Sequence, residues 1–256
     1  MILLFKRNRQ RSATELKMSK YFFYAVGEIV LVVIGILIAV QVNSWRESKV
    51  EQKWEKTYIE SYKKDLILDI SELERSIYIM DGDLQSLLRL SYRISSEAAT
   101  IDTLISVFRN ELNVYFNPAN SVNSKTFERI NSTGNLDLMD PWLRDAMIEH
   151  NSKQLHILKI VDDNSNLYLQ TMSRMGGMYP LKPKFDAFGK PLFIKRNGAM
   201  DIKFWNSIDQ PKFIGDLNGL LNSKIQMENN VIGVRKMLLE DTKVLLKKVT
   251  AAYSKD

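Results

Sequence analysis

Residues 21–42 read YFFYAVGEIVLVVIGILIAVQV and hold one charge, Glu28, in twenty-two positions. As a helix at 1.5 Å per residue this run measures about 33 Å, close to the roughly 30 Å hydrocarbon core of a bilayer. Tyr21, Phe22, Phe23 and Tyr24 supply aromatic residues at one end and Trp45 at the other, where amphipathic rings favour the membrane–water interface. A cleaved signal peptide would carry an apolar region of about 7–15 residues and a small-residue cleavage site. This run is longer and leaves through Ala39-Val40-Gln41-Val42-Asn43, a poor cleavage site. The expectation is an uncleaved transmembrane helix over residues 21–43.

Charge gives the span a direction. The net charge is +6, which invites a nucleic-acid reading until the charge is located. Lys6, Arg7, Arg9, Arg11, Lys17 and Lys20 against Glu15 place five of those six charges before residue 21. A nucleic-acid-binding protein is expected to carry its basic excess on the folded domain, and here the rest of the chain is almost neutral. Nucleic acid is therefore not an expected partner. The positive-inside rule assigns residues 1–20 to the cytoplasm as a basic tail and residues 44–256 to the outside of a bacterial inner membrane, as a periplasmic domain.

Within the span, Gly35 and Ala39 form a small-xxx-small pair, with Gly27 two turns earlier on the same stripe. Such a stripe lets two helix backbones approach closely, although Gly and Ala are common in membrane helices anyway. Glu28 is costly in lipid unless paired, protonated or shallow, and a lone span cannot form an ion pathway. Gly27, Glu28, Gly35 and Ala39 are thus the candidate contacts with a second copy or a partner membrane helix.

The run SKYFFYAVGEIVLVVIGILIAVQVNSWRES, residues 19–48, resembles the opening of an uncharacterised family of single-pass membrane proteins from flavobacteria and related Bacteroidota, classed as a domain of unknown function. The matching positions are Ser19, Lys20, Tyr21, Gly27 to Ala39, Gln41, Asn43 and Trp45. The stretch SKTFERINSTGNLDLMD, residues 124–140, resembles a second family segment in which an aromatic precedes Ser-x-Gly-Asn. The resemblance implies location and architecture and brings no activity with it.

Beyond the span, apolar residues recur at steps of three and four: Val50, Trp54, Tyr58, Tyr62, Leu66, Ile70, Leu73, Ile77, Met80, Leu84, Leu87 and Ile94. They mark one long amphipathic helix from Trp45 to about Ser96, roughly 75 Å if unbroken, with Asp81-Gly82-Asp83 as its weak point and candidate kink. Short helices are expected at about 101–113, closed by Asn117-Pro118-Ala119-Asn120, and at 124–132, stopped by Gly134. Asp140-Pro141 pairs an N-cap residue with Pro at the first helical position and opens a helix ending at Gly176-Gly177. Gln210-Pro211 opens the last helix, whose apolar side includes Leu217, Leu221, Ile225, Ile232, Leu238, Leu245 and Val249. Such stripes can be buried only against one another, so the fold class is all-α, a long-helix bundle of coiled-coil type.

Residues 178–209 interrupt the pattern as an irregular insertion with Pro180, Pro183, Gly189, Pro191 and Gly198. Asn197-Gly198 can turn a small hairpin between Leu192–Lys195 and Met200–Lys203. Tyr179, Phe185, Phe188, Phe193, Phe204 and Trp205 form the candidate partner or ligand segment, against the plainer reading of aromatics covering a bundle end.

The chemistry is sparse. The chain has no Cys and two His. His150 and His156 are six apart, which is not the spacing that puts two ligands on one helix face. Asp145, Glu149, Asp162 and Asp163 read as a solvated face, and N-capping accounts for Asp140. There is no phosphate-binding glycine loop, nucleophile elbow or zinc-helix motif. No catalytic, metal or cofactor residue is assigned. The sequence leaves three classes open, in this order: a non-catalytic tethered interaction or scaffold module, a sensory or ligand-binding ectodomain signalling through a partner membrane protein, and an enzyme.

Overall fold

The computed structural model describes residues 2–116, 122–180 and 198–253, with side chains from Tyr24 onward. Six α-helices follow in order: α1 (Ile2–Ile94), α2 (Ile101–Ser106), α3 (Lys125–Ser132), α4 (Pro141–Met178), α5 (Ala199–Asn206) and α6 (Gln210–Ala252). No strand occurs among the described residues. The chain divides into two units, Met1–Thr57 and Tyr58–Asp256.

The first unit is helical, and every side chain from Tyr24 to Trp54 is exposed. The stretch from Ile29 to Val42 is apolar except for Gln41, and all of its side chains are exposed. Water is a poor solvent for such a surface, at about 25 cal/mol for each Å² of apolar area. The helix is long and apolar enough to cross a membrane.

The second unit is a three-helix bundle. Its part of α1 buries Tyr58, Tyr62, Leu66, Ile77, Met80, Leu84, Leu87 and Ile94 on the expected stripe and Ile59 beside it, whereas Val50 and Trp54, at the start of that stripe, are exposed. The helix runs through Asp81-Gly82-Asp83 without a break, so the weak point predicted there does not interrupt it. The local loss of helix propensity, about 1 kcal/mol at Gly, is outweighed by stripe residues packed on both sides of it. Side-chain contacts fix the directions. Asp69 meets Gln154 and Tyr62 meets His150, so α1 and α4 run parallel. Asp83 meets Lys224 and Glu74 meets Lys243, so α6 runs antiparallel to both.

Parallel α1 and α4 require a crossover, and residues 95–140 supply it. Thr100 caps α2 by accepting from the Thr103 N–H at 3.3 Å. α2 passes into a π turn, Val107–Glu111, which seats Phe108 in the core. The chain then returns along the bundle, with Val114 buried. Asn117-Pro118-Ala119-Asn120 lies outside the described residues. Gly134, at φ 71°, stops α3 in the left-handed region that only glycine enters without strain, and a 3₁₀ turn follows.

Two sequence expectations are corrected. Met200–Lys203 is not a hairpin strand, because these residues lie within α5, which swings Trp205 into the core. The other arm, Leu192–Lys195, lies outside the described residues. Asp140 precedes α4 but its side chain makes no capping bond; its carboxylate accepts from the Tyr253 hydroxyl at 2.6 Å instead. That bond joins the start of α4 to the end of α6. At the start of α6, by contrast, Asp209 is a side-chain cap and accepts from the Lys212 N–H.

Candidate functional site

The bundle interior is mainly apolar, with polar residues buried at intervals along its length. On α6 the inward positions Leu217, Leu221, Lys224, Glu228, Val231, Arg235, Leu238, Thr242, Leu245 and Val249 follow steps of four and three without a break. On α1 the same steps pass through Tyr62, Leu66, Asp69, Leu73, Ser76, Met80, Asp83, Leu87, Leu90 and Ile94. This is the seven-residue repeat of helices that pack knobs into holes. Polar residues therefore face the core at seven-residue intervals.

Lys224 is fully buried and makes the tightest cluster. Its ammonium donates to the Asn113 carbonyl at 2.6 Å and to Asp83 Oδ2 at 2.7 Å, and it lies 3.2 Å from Glu228 Oε1. The last distance is an ion-pair contact without hydrogen-bond geometry, since neither Glu228 oxygen has a hydrogen-bond partner. Two carboxyl groups thus share one cation. Burial first, and then the neighbouring Asp83, push the Glu228 carboxyl up to about 8. Glu228 is the member that holds a proton near neutrality.

Further along, Arg235 donates to the Ser76 hydroxyl across the α1–α6 contact. Beside it lies a cavity of about 30 Å³ lined by Ser76, Gln154, Val161 and Leu238, room for a water molecule or two. Asp69 is saturated: it accepts from the Asn123 N–H at 2.8 Å, the Asn123 amide at 2.9 Å and Gln154 Nε2 at 2.7 Å. Burial raises its carboxyl, while the Asn123 bonds work against that rise. Asp65 accepts from the Thr126 N–H at 3.0 Å, so two carboxylates of α1 hold the segment that leads into α3. His150 is buried with Nε2 3.1 Å from the Thr242 hydroxyl, and burial lowers its imidazole to about 4.

An open cleft of about 370 Å³ lies between α4 and α6 above His150, walled by Trp142 and rimmed by Asp145, Glu149, Lys153, Asp241 and Lys248. Its central charges are already matched, because Lys153 bridges Glu149 at 2.9 Å and Asp241 at 3.0 Å. Among the described residues, no group of three or more His, Asp or Glu could hold a metal ion. The seam has the chemistry of an internal lock: buried polar groups, mostly paired, on three helices.

The aromatics singled out from sequence lie elsewhere. Tyr179, Phe204 and Trp205 pack at one end of the bundle with Phe108 and Phe213, the Tyr179–Phe213 centroids being 5.0 Å apart. Tyr179 donates to Asp216 at 2.9 Å, and Arg109 stacks over the Trp205 ring while pairing with Asp201. Phe185, Phe188 and Phe193 lie outside the described residues. In the first unit Gly27, Glu28, Gly35 and Ala39 are exposed, and a Cβ on either glycine would stand in open space.

Sequence reasoning passed over the buried polar residues because it sought apolar stripes and solvated charges separately. The available signal was phase: Asp69, Asp83, Lys224, Glu228 and Arg235 fall in step with the apolar stripe. No curated protein and no solved structure matches this chain. A family model described as a family of unknown function (DUF6090) matches residues 28–169, from within the apolar span to the second half of α4.

Proposed function

The chain belongs to that family of unknown function, and on this premise we propose that it is a membrane-anchored, non-catalytic helical module that works by binding another protein chain. The observation that carries this reading is the outward surface of α1 in the bundle, where Tyr78 and Tyr92 are 81% and 82% exposed beside exposed Ile67, Leu68 and Ile79. Among the described residues, nine polar or charged side chains of the bundle are buried, several of them in internal pairs, while these apolar side chains are left outside. Apolar rows of this kind on a folded domain mark interaction surfaces. The charge asymmetry about the span supports a cytoplasmic N-terminus in a bacterial inner membrane, with the bundle on the periplasmic side.

A ligand-binding ectodomain is the second reading, favoured by the Trp142 cleft. The internal pairing of its charges at Lys153 leaves that reading behind the first.

In-cell crosslinking with mass spectrometry on natively expressed chain is the test. A dominant neighbour, either one membrane protein or a second copy, is the expected result. Absence of any protein crosslink above background overturns the reading. A C-terminal alkaline phosphatase fusion should be active and a green fluorescent protein fusion dark; the reverse pattern overturns the orientation.

A further inference from the structure

Within the bundle, α1 has two faces. Taking 100° per residue, the mean direction of the inward positions Leu66, Asp69, Leu73, Met80 and Leu87 lies about 155° from that of Ile67, Ser71, Tyr78, Gly82, Gln85, Arg89 and Tyr92. That second set follows steps of four and three or their sum, seven, so it forms one face, on which Ile67, Tyr78 and Tyr92 are the exposed apolar members. It runs for about 38 Å from Ile67 to Tyr92. Gly82 lies at its middle with nothing within 4 Å of where a Cβ would be, so the backbone is open to close approach at that point.

The charges on this face that no ion pair takes up have one sign. Lys64, Arg75 and Arg89 are exposed, and none of them forms an ion pair among the described residues. The acids at its edge are committed to α6: Glu74 lies 2.8 Å from Lys243, and Asp81 3.4 Å from Lys236. What remains is an apolar, aromatic row flanked by cations.

That pattern discriminates among occupants. A second copy docked in parallel would set each arginine against its own equivalent. Docked antiparallel about Gly82, it would set Arg75 against Arg89, because each is seven residues from the glycine. Residues 181–197 of this chain carry Lys182, Lys184, Lys190, Lys195 and Arg196 against Asp186, the same sign as the face. A linear seam of helical period, rather than a broad basic plane, fits one helix better than a lipid surface.

We propose that the outer face of α1 between Lys64 and Tyr92 is the docking site for an acidic amphipathic helix of a partner protein, its apolar side laid along Ile67, Tyr78 and Tyr92 and its carboxylates against Arg75 and Arg89. This inference rests on the reading of the chain as an interaction module and names the surface and the partner chemistry. Opposite charge across the seam selects the partner and its register, while burial of the tyrosine rings supplies most of the attraction.

The test uses full-length chain in its native cells, with photoreactive benzoylphenylalanine replacing Tyr78 or Tyr92 and, as control, Met237 on α6, which is also exposed. The expected result is a crosslink from Tyr78 and Tyr92 to one peptide of net negative charge and helical apolar spacing. The double variant Arg75→Glu, Arg89→Glu should lower its yield about tenfold, with unchanged thermal denaturation. A crosslink from these positions to a second copy, to lipid or to a basic peptide overturns the proposal, as does a yield indifferent to the charge reversal. Crosslinks from Met237 alone overturn this face and leave the interaction reading standing. Crosslinks from none of the three positions, with none in the general in-cell experiment, overturn both.

Discussion

Helix α1 contains two stretches with the same backbone and opposite treatment of their side chains. From Tyr24 to Trp54 every side chain is exposed; from Tyr58 to Ile94 one stripe is buried against α4 and α6. Helicity is common to both, so it does not distinguish them. The distribution of polar residues does. Between Ile29 and Val42 there is no charge and no polar face, so the stretch has no side to present to water and is long and apolar enough to cross a membrane. Between Tyr58 and Ile94 polar residues occupy most of the circumference, and some, Asp69 and Asp83 among them, intrude on the buried stripe itself. Uniform hydrophobicity marks a helix that needs apolar surroundings on every side, a bilayer or a protein core, and periodic hydrophobicity marks one that packs by a single face on other helices.

Changing a buried charge should have the largest effect on one stretch and none on the other. Lys224→Met leaves Asp83 and Glu228 without their shared cation and is expected to cost about 3–5 kcal/mol of bundle stability in denaturant titration of the full chain in micelles. A loss under about 1 kcal/mol would show that the seam is not what holds α1 to α6. Matched truncations sharpen the contrast. Leu66→Ala, at a fully buried site, is expected to cost about 2–5 kcal/mol, while Leu37→Ala should leave bundle unfolding within about 0.5 kcal/mol of wild type. Equal losses would break the distinction between the two stretches.

Two titrations follow, with opposite signs. His150 is held neutral, its imidazole at about 4 in the fold against an ordinary 6.5. The unfolded chain therefore binds the extra proton first. The stability this group contributes is complete above about pH 6.5 and is lost as the pH falls toward 4, by up to about 3 kcal/mol. Comparison with His150→Gln across that window isolates the loss, and parallel pH curves would refute it. Glu228 runs the other way. Its folded pKa is raised to about 8, so its contribution is complete below its ordinary value near 4.5 and is lost as the pH rises through 8. Glu228→Gln keeps the shape without the charge and is expected to gain about 1 kcal/mol at pH 8.5 and little at pH 5. A variant that is equally or less stable at pH 8.5 would place the proton elsewhere in the cluster.

Much of the fold was legible because its signals are local. Pro141 and Pro211 open their helices, Gly134 closes one, and the stripes of α4, of α6 and of α1 from Tyr58 onward supply most of the buried side chains. The errors have physical causes of the opposite kind. Asp140 has the residue type of a cap, but its oxygen was claimed by Tyr253, a residue 113 positions away. Asn197-Gly198 is a turn signal at short range, yet the residues after it are helical, and α5 carries Trp205 to an aromatic cluster drawn from four segments of the chain. Glycine at position 82 weakens a helix taken alone and is harmless in one fastened on both sides.

The apolar span, the all-α class and the helical periodicity were determined by the sequence itself, because each depends on residues within a few turns of one another. The pairing of Lys224 with Asp83, of Gln154 with Asp69 and of His150 with Thr242 was decided only by tertiary structure. Residues 85 to 141 positions apart come within 3.1 Å there, and no local pattern says which helix will lie opposite which. The same is true of the outer face of α1. Its apolar row is visible in the sequence, but that it is left uncovered is known only once α4 and α6 have taken the opposite side.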